Sequence, residues 1–230
     1  MIATLPVSAG PVYVFLAIDH GAQFIAEAAR TSVAAVTATL AFVAAHAFAA
    51  QRFSTPLSLA AATLSWLSVA LLLQMRDWSF VEAAALLAVS FALAIRGMRH
   101  LIVAVPVPSM ARGRYDLALR AALVACVVIA TTFAGNALGP AAAGILATYP
   151  VVFTSLILIL QPRYGGPFTA SMLVGGLKGL IGFAVAIGVL HLAAAGMGSA
   201  WALAIALAVA VGWNCALYLL RARPVSASGD

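Results

Sequence analysis

Residues 168–194 read FTASMLVGGLKGLIGFAVAIGVLHLAA, a run whose only charged residue is Lys178. As a helix it would extend about 40 Å, at about 1.5 Å per residue. The hydrocarbon core of a bilayer is about 30 Å thick. This run therefore predicts a membrane-spanning helix, and it sets the fold class against which the rest of the chain is compared.

The composition of the whole chain supports the same conclusion. Of its 230 residues, 65% are hydrophobic and 8% are charged, and the mean hydropathy is +1.11. Soluble domains carry roughly 25% charged residues, so this composition excludes a soluble enzyme, a disordered protein and a nucleic-acid-binding protein. We predict an all-α, polytopic membrane helix bundle of seven or eight transmembrane helices, forming one membrane domain over 1–230. Seven spans are predicted at 32–50, 56–74, 79–97, 117–135, 141–161, 168–194 and 199–221.

Segment 11–30 leaves the eighth span open. Five polar residues of this segment fall within an arc of about 100° on a helix. They are Asp19, His20, Gln23, Glu27 and Arg30. The segment is therefore either a first spanning helix whose polar face turns into the bundle, or an amphipathic helix that lies flat at the interface.

The distribution of arginine predicts the orientation. If the seven spans alternate, one side of the membrane receives nine arginines and the other receives two, Arg30 and Arg76. Loops rich in Lys and Arg stay in the cytoplasm. We therefore expect the 98–116 loop and the C-terminus to be cytoplasmic, in a bacterial inner membrane, with 222–230 as a disordered tail. The nine arginines are Arg52, Arg96, Arg99, Arg112, Arg114, Arg120, Arg163, Arg221 and Arg223.

An internal similarity predicts a duplication. Residues 68–76 (SVALLLQMR) and 155–163 (SLILILQPR) match at five of nine positions with a constant offset of 87. The pairing sets repeat 1 (31–97) against repeat 2 (117–194), followed by a last helix at 199–221. Because three helices separate the copies, they would point in opposite directions across the bilayer. The alternative is that helices rich in alanine and leucine resemble one another by composition.

The second half, about residues 117–221, contains Ala143-Gly144, the stretch YPVVFT at 149–154, RYGG at 163–166, and Trp213 in the last helix. By these residues it resembles the GlpM-like group of small bacterial inner-membrane proteins. The first half departs from this pattern, because it lacks the Tyr-Pro pair and a fourth helix. The resemblance implies a small inner-membrane protein, and it implies no particular activity.

Ionisable residues inside a span are the first candidates for function, because a charge in the bilayer is unfavourable. Lys178 is one, and it either extends along the helix to the interface or lies on a substrate or proton path. On such a path its counter-ion would be Asp19, if 11–30 spans, with Glu82, three residues into its helix, as the alternative. The duplication pairs Lys178 with Ser90, which would place a polar group in the middle of both helices.

Tyr149-Pro150 interrupts the middle of span 141–161, because proline cannot donate its helix hydrogen bond. Small transporters tend to bind substrate at broken helices of inverted repeats, although a structural kink is the commoner meaning. The matched pairs Gln74/Arg76 and Gln161/Arg163 are interpreted as helix-end anchors. Four tryptophans are interpreted mainly as interface anchors; they are Trp66, Trp78, Trp201 and Trp213.

The sequence predicts no catalytic group, cofactor or metal site. His46 and His191 fall near opposite ends of their helices, which excludes a bis-histidine haem, and the two cysteines are interpreted as small core residues.

We expect a small transporter or permease-like protein of unknown substrate, with a non-transporting scaffold of envelope biogenesis as the alternative, and no enzyme. The expected partners are the lipid bilayer, a small-molecule or lipid-like substrate, and a membrane protein or second copy, without nucleic acid.

Overall fold

The computed structural model describes residues 9–102 and 115–222. These residues form nine α-helices, with a short 3-10 turn, Arg99–Leu101, after the fourth. In chain order they are α1 (Ala9–His20), α2 (Ala22–Ala49), α3 (Thr55–Gln74), α4 (Phe80–Met98), α5 (Asp116–Leu138), α6 (Pro140–Ala147), α7 (Val151–Tyr164), α8 (Gly166–Met197) and α9 (Ser199–Ala222).

The prediction of an all-α membrane helix bundle is confirmed. Within the described ranges, seven helices are long and apolar enough to cross a membrane, and α6 and α7 together count as one of them. These seven spans coincide with the seven predicted segments, except that α2 begins at Ala22 rather than near residue 32. Glu27 and Arg30, in the second and third turns of α2, pair with each other, so these charges do not end the helix there.

Segment 11–30 is not one helix, which corrects both interpretations of it. Gly21 has a φ of 81° and separates α1 from α2. The Tyr13 hydroxyl lies 2.7 Å from Ser32 Oγ, so α1 folds back along α2 rather than continuing it. With 12 residues, α1 is about 18 Å long and too short to span by itself.

Helix α2 lies at the centre of the bundle and packs against α3, α4, α6 and α8. Small residues allow these close contacts, as is common between helices in membranes. A Cβ on Gly144 of α6 would overlap the carbonyl oxygen of Ala28, and one on Gly166 would overlap that of Ala50. Two helices therefore approach the α2 backbone itself.

The bundle has two ends, which we name by the arginines found there. At the Arg163 end, Arg163 forms a two-point ion pair with Asp116 at the start of α5. At the Arg30 end, the start of α2 meets the last turn of α5, where Phe24 lies beside Gly135. Helices α2 and α5 consequently run in opposite directions.

An inverted duplication requires these opposite directions, yet the paired helices have different surroundings. Two-thirds of the most apolar window of α2 is buried, against about a tenth of that of α5. The duplication therefore remains a prediction. Most of the 98–116 loop and nearly all of the 222–230 tail lie outside the described residues.

Candidate functional site

The fifth span is broken in its middle, as the sequence predicts. Helix α6 ends at Ala147 and α7 begins at Val151, with Pro150 as the residue before α7. The amides of Thr148 and Tyr149 donate to carbonyls only three residues back, which tightens the end of α6. The break exposes backbone carbonyls at mid-depth in the bundle, where they need partners.

Hydroxyl groups of α2 supply these partners. Ser32 Oγ donates to the carbonyl of Gly144 at 2.5 Å, and Thr39 Oγ1 donates to the carbonyl of Thr148 at 2.8 Å. Ser32 and Thr39 are both buried. In lipid, neighbouring helices must satisfy the backbone groups that a proline frees. Side chains of α2 therefore hold the broken helix in place.

A third polar contact between α2 and this span lies nearer the Arg163 end. His46 Nε2 lies 2.9 Å from Gln161 Oε1 of α7, and Ser58 Oγ of α3 donates to the same oxygen at 3.0 Å. All three side chains are buried. The other ring nitrogen of His46, Nδ1, is buried without a hydrogen-bond partner in the described structure. This leaves an imidazole nitrogen free to accept a hydrogen bond.

These α2 residues recur every seven positions, at 32, 39 and 46, and so lie on one face of the helix. We call Ser32, Thr39 and His46, with the groups they contact on α6 and α7, the polar seam. At 1.5 Å per residue its levels are about 10 Å apart along α2. The seam therefore extends through much of the bundle, between one half of the chain and the other.

An aromatic cluster closes the middle of the seam. The Tyr149 ring meets the Trp66 ring edge-on, with centroids 5.1 Å apart, and Phe42 lies 6.5 Å away on another side. Trp66 is 4% exposed, so it is a core residue, in contrast to the predicted interface anchor. Its Nε1 has no partner among the described residues, which leaves one more polar atom facing the interior.

A cavity of about 150 Å³ lies at the Arg30 end of the bundle, and its lining includes Thr31 and Ile145, the sequence neighbours of Ser32 and Gly144. Its walls come from α2, α3, the α3–α4 loop and the junction of α5 with α6. The Arg30 Nε–H group is shared between the two carboxylate oxygens of Glu27, at 3.0 and 3.1 Å, and Arg30 also donates to the carbonyl of Trp78. The lining of the cavity includes the charged residues Glu27, Arg30, Arg76 and Asp77. The cavity thus combines two positive and two negative groups.

The structure brings together only part of the predicted path. Tyr149 and Pro150 lie at the centre of the seam. Lys178 is exposed on the outside of α8, and its carbonyl accepts a hydrogen bond from Trp213. Asp19 is exposed on α1, and none of the ion pairs in the described ranges includes Asp19 or Lys178. Ser90 donates to Leu86 of its own helix and does not reach the seam.

The four predicted helix-end anchors also have different surroundings in the structure. Arg163 joins α7 to the start of α5 through Asp116, and Arg76 pairs with Glu82. Gln161 is buried in the seam, whereas its repeat counterpart Gln74 is exposed at the edge of the Arg30-end cavity. Sequence reasoning missed Ser32, Thr39 and His46, although their spacing of seven was a readable signal.

Comparisons with family models, with curated proteins and with solved structures found no match for this chain. Within the described ranges, no three His, Cys, Asp or Glu side chains are grouped so that they could hold a metal ion. The chain is a multi-pass membrane protein by its seven apolar helices.

Proposed function

We propose that this protein is a small transporter whose pathway follows the polar seam. The observation that carries the proposal is that Ser32, Thr39 and His46 reach the broken α6–α7 span at three successive depths. A scaffold needs only apolar packing between its helices. Polar groups at every level between two halves of a bundle favour passage of a small solute between those halves.

The pathway would open first from the Arg30 end. The charged cavity there would join the seam as the helices separate beside Thr31 and Ile145, and the Trp66–Tyr149 contact closes the way further on. Rocking of α2 and α3 against α6 and α7 would then expose the solute to the Arg163 end. The break at Thr148–Pro150 supplies the hinge, because irregular backbone absorbs such motions.

The cavity also limits the solute. Its positive and negative groups balance, which favours a small zwitterionic or neutral polar compound over a multiply charged ion. On the rule that basic loops stay in the cytoplasm, the Arg163 end faces the cytoplasm of a bacterial cell and the Arg30 end faces outward. The resemblance of 117–221 to the GlpM-like group is consistent with this location.

The alternative is a scaffold subunit of the same membrane. It is favoured by the close packing of Phe42, Trp66 and Tyr149 at the centre. It is also favoured by an apolar lateral groove of about 380 Å³ between α4 and α8, with room for a partner's side chains. A scaffold would keep its centre closed at all times, which separates the two functions by experiment.

Cysteine accessibility tests the proposal. The two native cysteines, Cys126 and Cys215, are exposed and would first be replaced by serine. Thr39→Cys would then be treated with a membrane-impermeant maleimide from either side of oriented vesicles, with Ala38→Cys, a buried neighbour one residue off the seam, as the matched control. A transporter predicts that Thr39→Cys is labelled and Ala38→Cys is not. If neither position reacts from either side, the scaffold function replaces the transporter.

A further inference from the structure

A second cavity, separate from the polar seam, lies on the side of the bundle between α5 and α7. Its volume is about 660 Å³, within the usual range for sites that hold a small ligand. One face of α5 forms its floor from Leu117 to Ile129, and α7 contributes Val151, Val152 and Ser155. Phe15 of α1 lines it as well. Because α5 is largely exposed along its length, this groove opens sideways toward the bilayer.

The lining of the groove is apolar apart from Ser155, whose hydroxyl donates to the carbonyl of Val152 in its own helix, and Arg120 near the Arg163 end. Arg120 stands one turn after Asp116, and Asp116 already binds Arg163 through two hydrogen bonds of 3.0 and 2.7 Å. None of the ion pairs in the described ranges includes Arg120. Its Nε is buried without a hydrogen-bond partner in the described structure. The groove therefore ends in a cation that has room for an anionic partner.

We propose that this groove binds an anionic phospholipid, with one acyl chain along α5 and the phosphate against Arg120. The helix rises about 18 Å from Leu117 to Ile129, slightly more than half of a hydrocarbon core about 30 Å thick. The groove thus matches the depth of one leaflet. The cation stands one turn from the end of the span, at the level where a lipid of that leaflet carries its headgroup.

A second copy of the chain would fit the groove less well. An apolar helix seated there would cover Arg120 without supplying an anion, and an unpaired charge in the bilayer is strongly unfavourable. A lipid phosphate supplies that anion and accepts hydrogen bonds from the guanidinium. The charge at one end therefore selects an anionic lipid over an apolar protein partner.

Native mass spectrometry of the delipidated full-length protein, with either phosphatidylglycerol or phosphatidylcholine added, tests this assignment. We expect the wild type to retain phosphatidylglycerol at least about tenfold better, because the choline cation of phosphatidylcholine offsets the phosphate charge that Arg120 would bind; tenfold corresponds to about 1.4 kcal/mol. Arg120→Gln should remove this preference, whereas Arg52→Gln, an exposed arginine outside the groove, should keep it. Ala125→Trp, which fills the groove, should reduce retention of both lipids, and Ala122→Trp, on another face of α5, should not.

Three results would overturn the assignment. The first is equal retention of both lipids by the wild type, and the second is an unchanged preference in Arg120→Gln. The third is a change of oligomeric state in Ala125→Trp, measured by light scattering, because this would mean that a second copy occupies the groove. None of these results bears on the polar seam, which lies on the other side of α7.

Discussion

The imidazole of His46 and the side-chain amide of Gln161 lie 2.9 Å apart, although 115 residues separate them in the chain. Ser58 donates to the same amide oxygen at 3.0 Å. One side chain of α7 thus joins α2 to α3 in the buried interior, where polar groups are retained only when they are paired. Of the three levels of the seam, this cluster is the one nearest the Arg163 end.

Gln161→Leu should destabilise the fold. The substitution leaves the buried His46 ring without a hydrogen-bond partner, whereas Ser58 keeps its contact with the carbonyl of Thr55. A buried unsatisfied group costs about 1–3 kcal/mol. Thermal unfolding in detergent, with the folded fraction monitored by size-exclusion chromatography after heating, should show a clear drop in Tm. Gln74→Leu, at the exposed position that the repeat pairs with Gln161, is the matched control and should change Tm little. Equal effects of the two variants would contradict the buried cluster.

Thr39→Val should weaken the attachment of the broken span to α2. It removes the hydrogen bond to the carbonyl of Thr148, which in a membrane is worth about 0.6–1.7 kcal/mol. Thr37→Val is the control, because Thr37 Oγ1 is buried without a partner in the described structure. We expect a lower Tm for Thr39→Val, and an unchanged or higher Tm for Thr37→Val. A lower Tm for Thr37→Val than for Thr39→Val would contradict the hydrogen bond between Thr39 and the broken span.

Gly144→Ala should be poorly tolerated. The new methyl group would overlap the carbonyl oxygen of Ala28, so α6 would have to move away from α2 and lose the hydrogen bond from Ser32. We expect a sharp loss of folded, monodisperse protein on expression. At Gly175 of α8 a Cβ has open space, and Gly175→Ala should leave the yield unchanged or raise stability by about 0.5–1 kcal/mol. Similar yields for the two variants would mean that α6 does not pack closely on α2.

Lys178→Met should leave the accessibility of the polar seam unchanged. Lys178 is exposed on the outside of α8, away from the seam, and its stem can reach the interface along the helix. The check compares the labelling of Thr39→Cys with and without Lys178→Met, at matched expression. If Lys178 lies on the pathway, its replacement should alter this labelling. Such a result would support a functional role for Lys178.

Much of the fold was readable from the sequence. The length of the apolar runs and their scarcity of charged residues predicted all seven spans, because a bilayer requires about 20 apolar residues per helix. The proline at position 150 predicted the break, because it removes a backbone donor wherever it lies. The start of α2 was missed by about ten residues, because Glu27 and Arg30 neutralise each other and hydropathy alone does not register that pairing.

The site was less readable. The ammonium of Lys178 and the carboxylate of Asp19 were the obvious polar groups, and both are exposed. The residues that meet the broken span are Ser32, Thr39 and His46, which hydropathy ranks as unremarkable. Their spacing of seven places them on one face of a helix, but many helices have such a face without placing it against a partner.

The sequence by itself determined that the chain resides in a membrane, where its spans lie and which of them is interrupted. These properties follow from the local free energy of placing each residue in lipid or water, and from the covalent limits of proline. Only the tertiary structure decided that α2 occupies the centre, that α1 folds back at Gly21, and that Gln161 meets His46. Lipid is as apolar as leucine, so hydrophobicity does not select among helix neighbours; close contacts at small residues and pairing of buried polar groups select them instead.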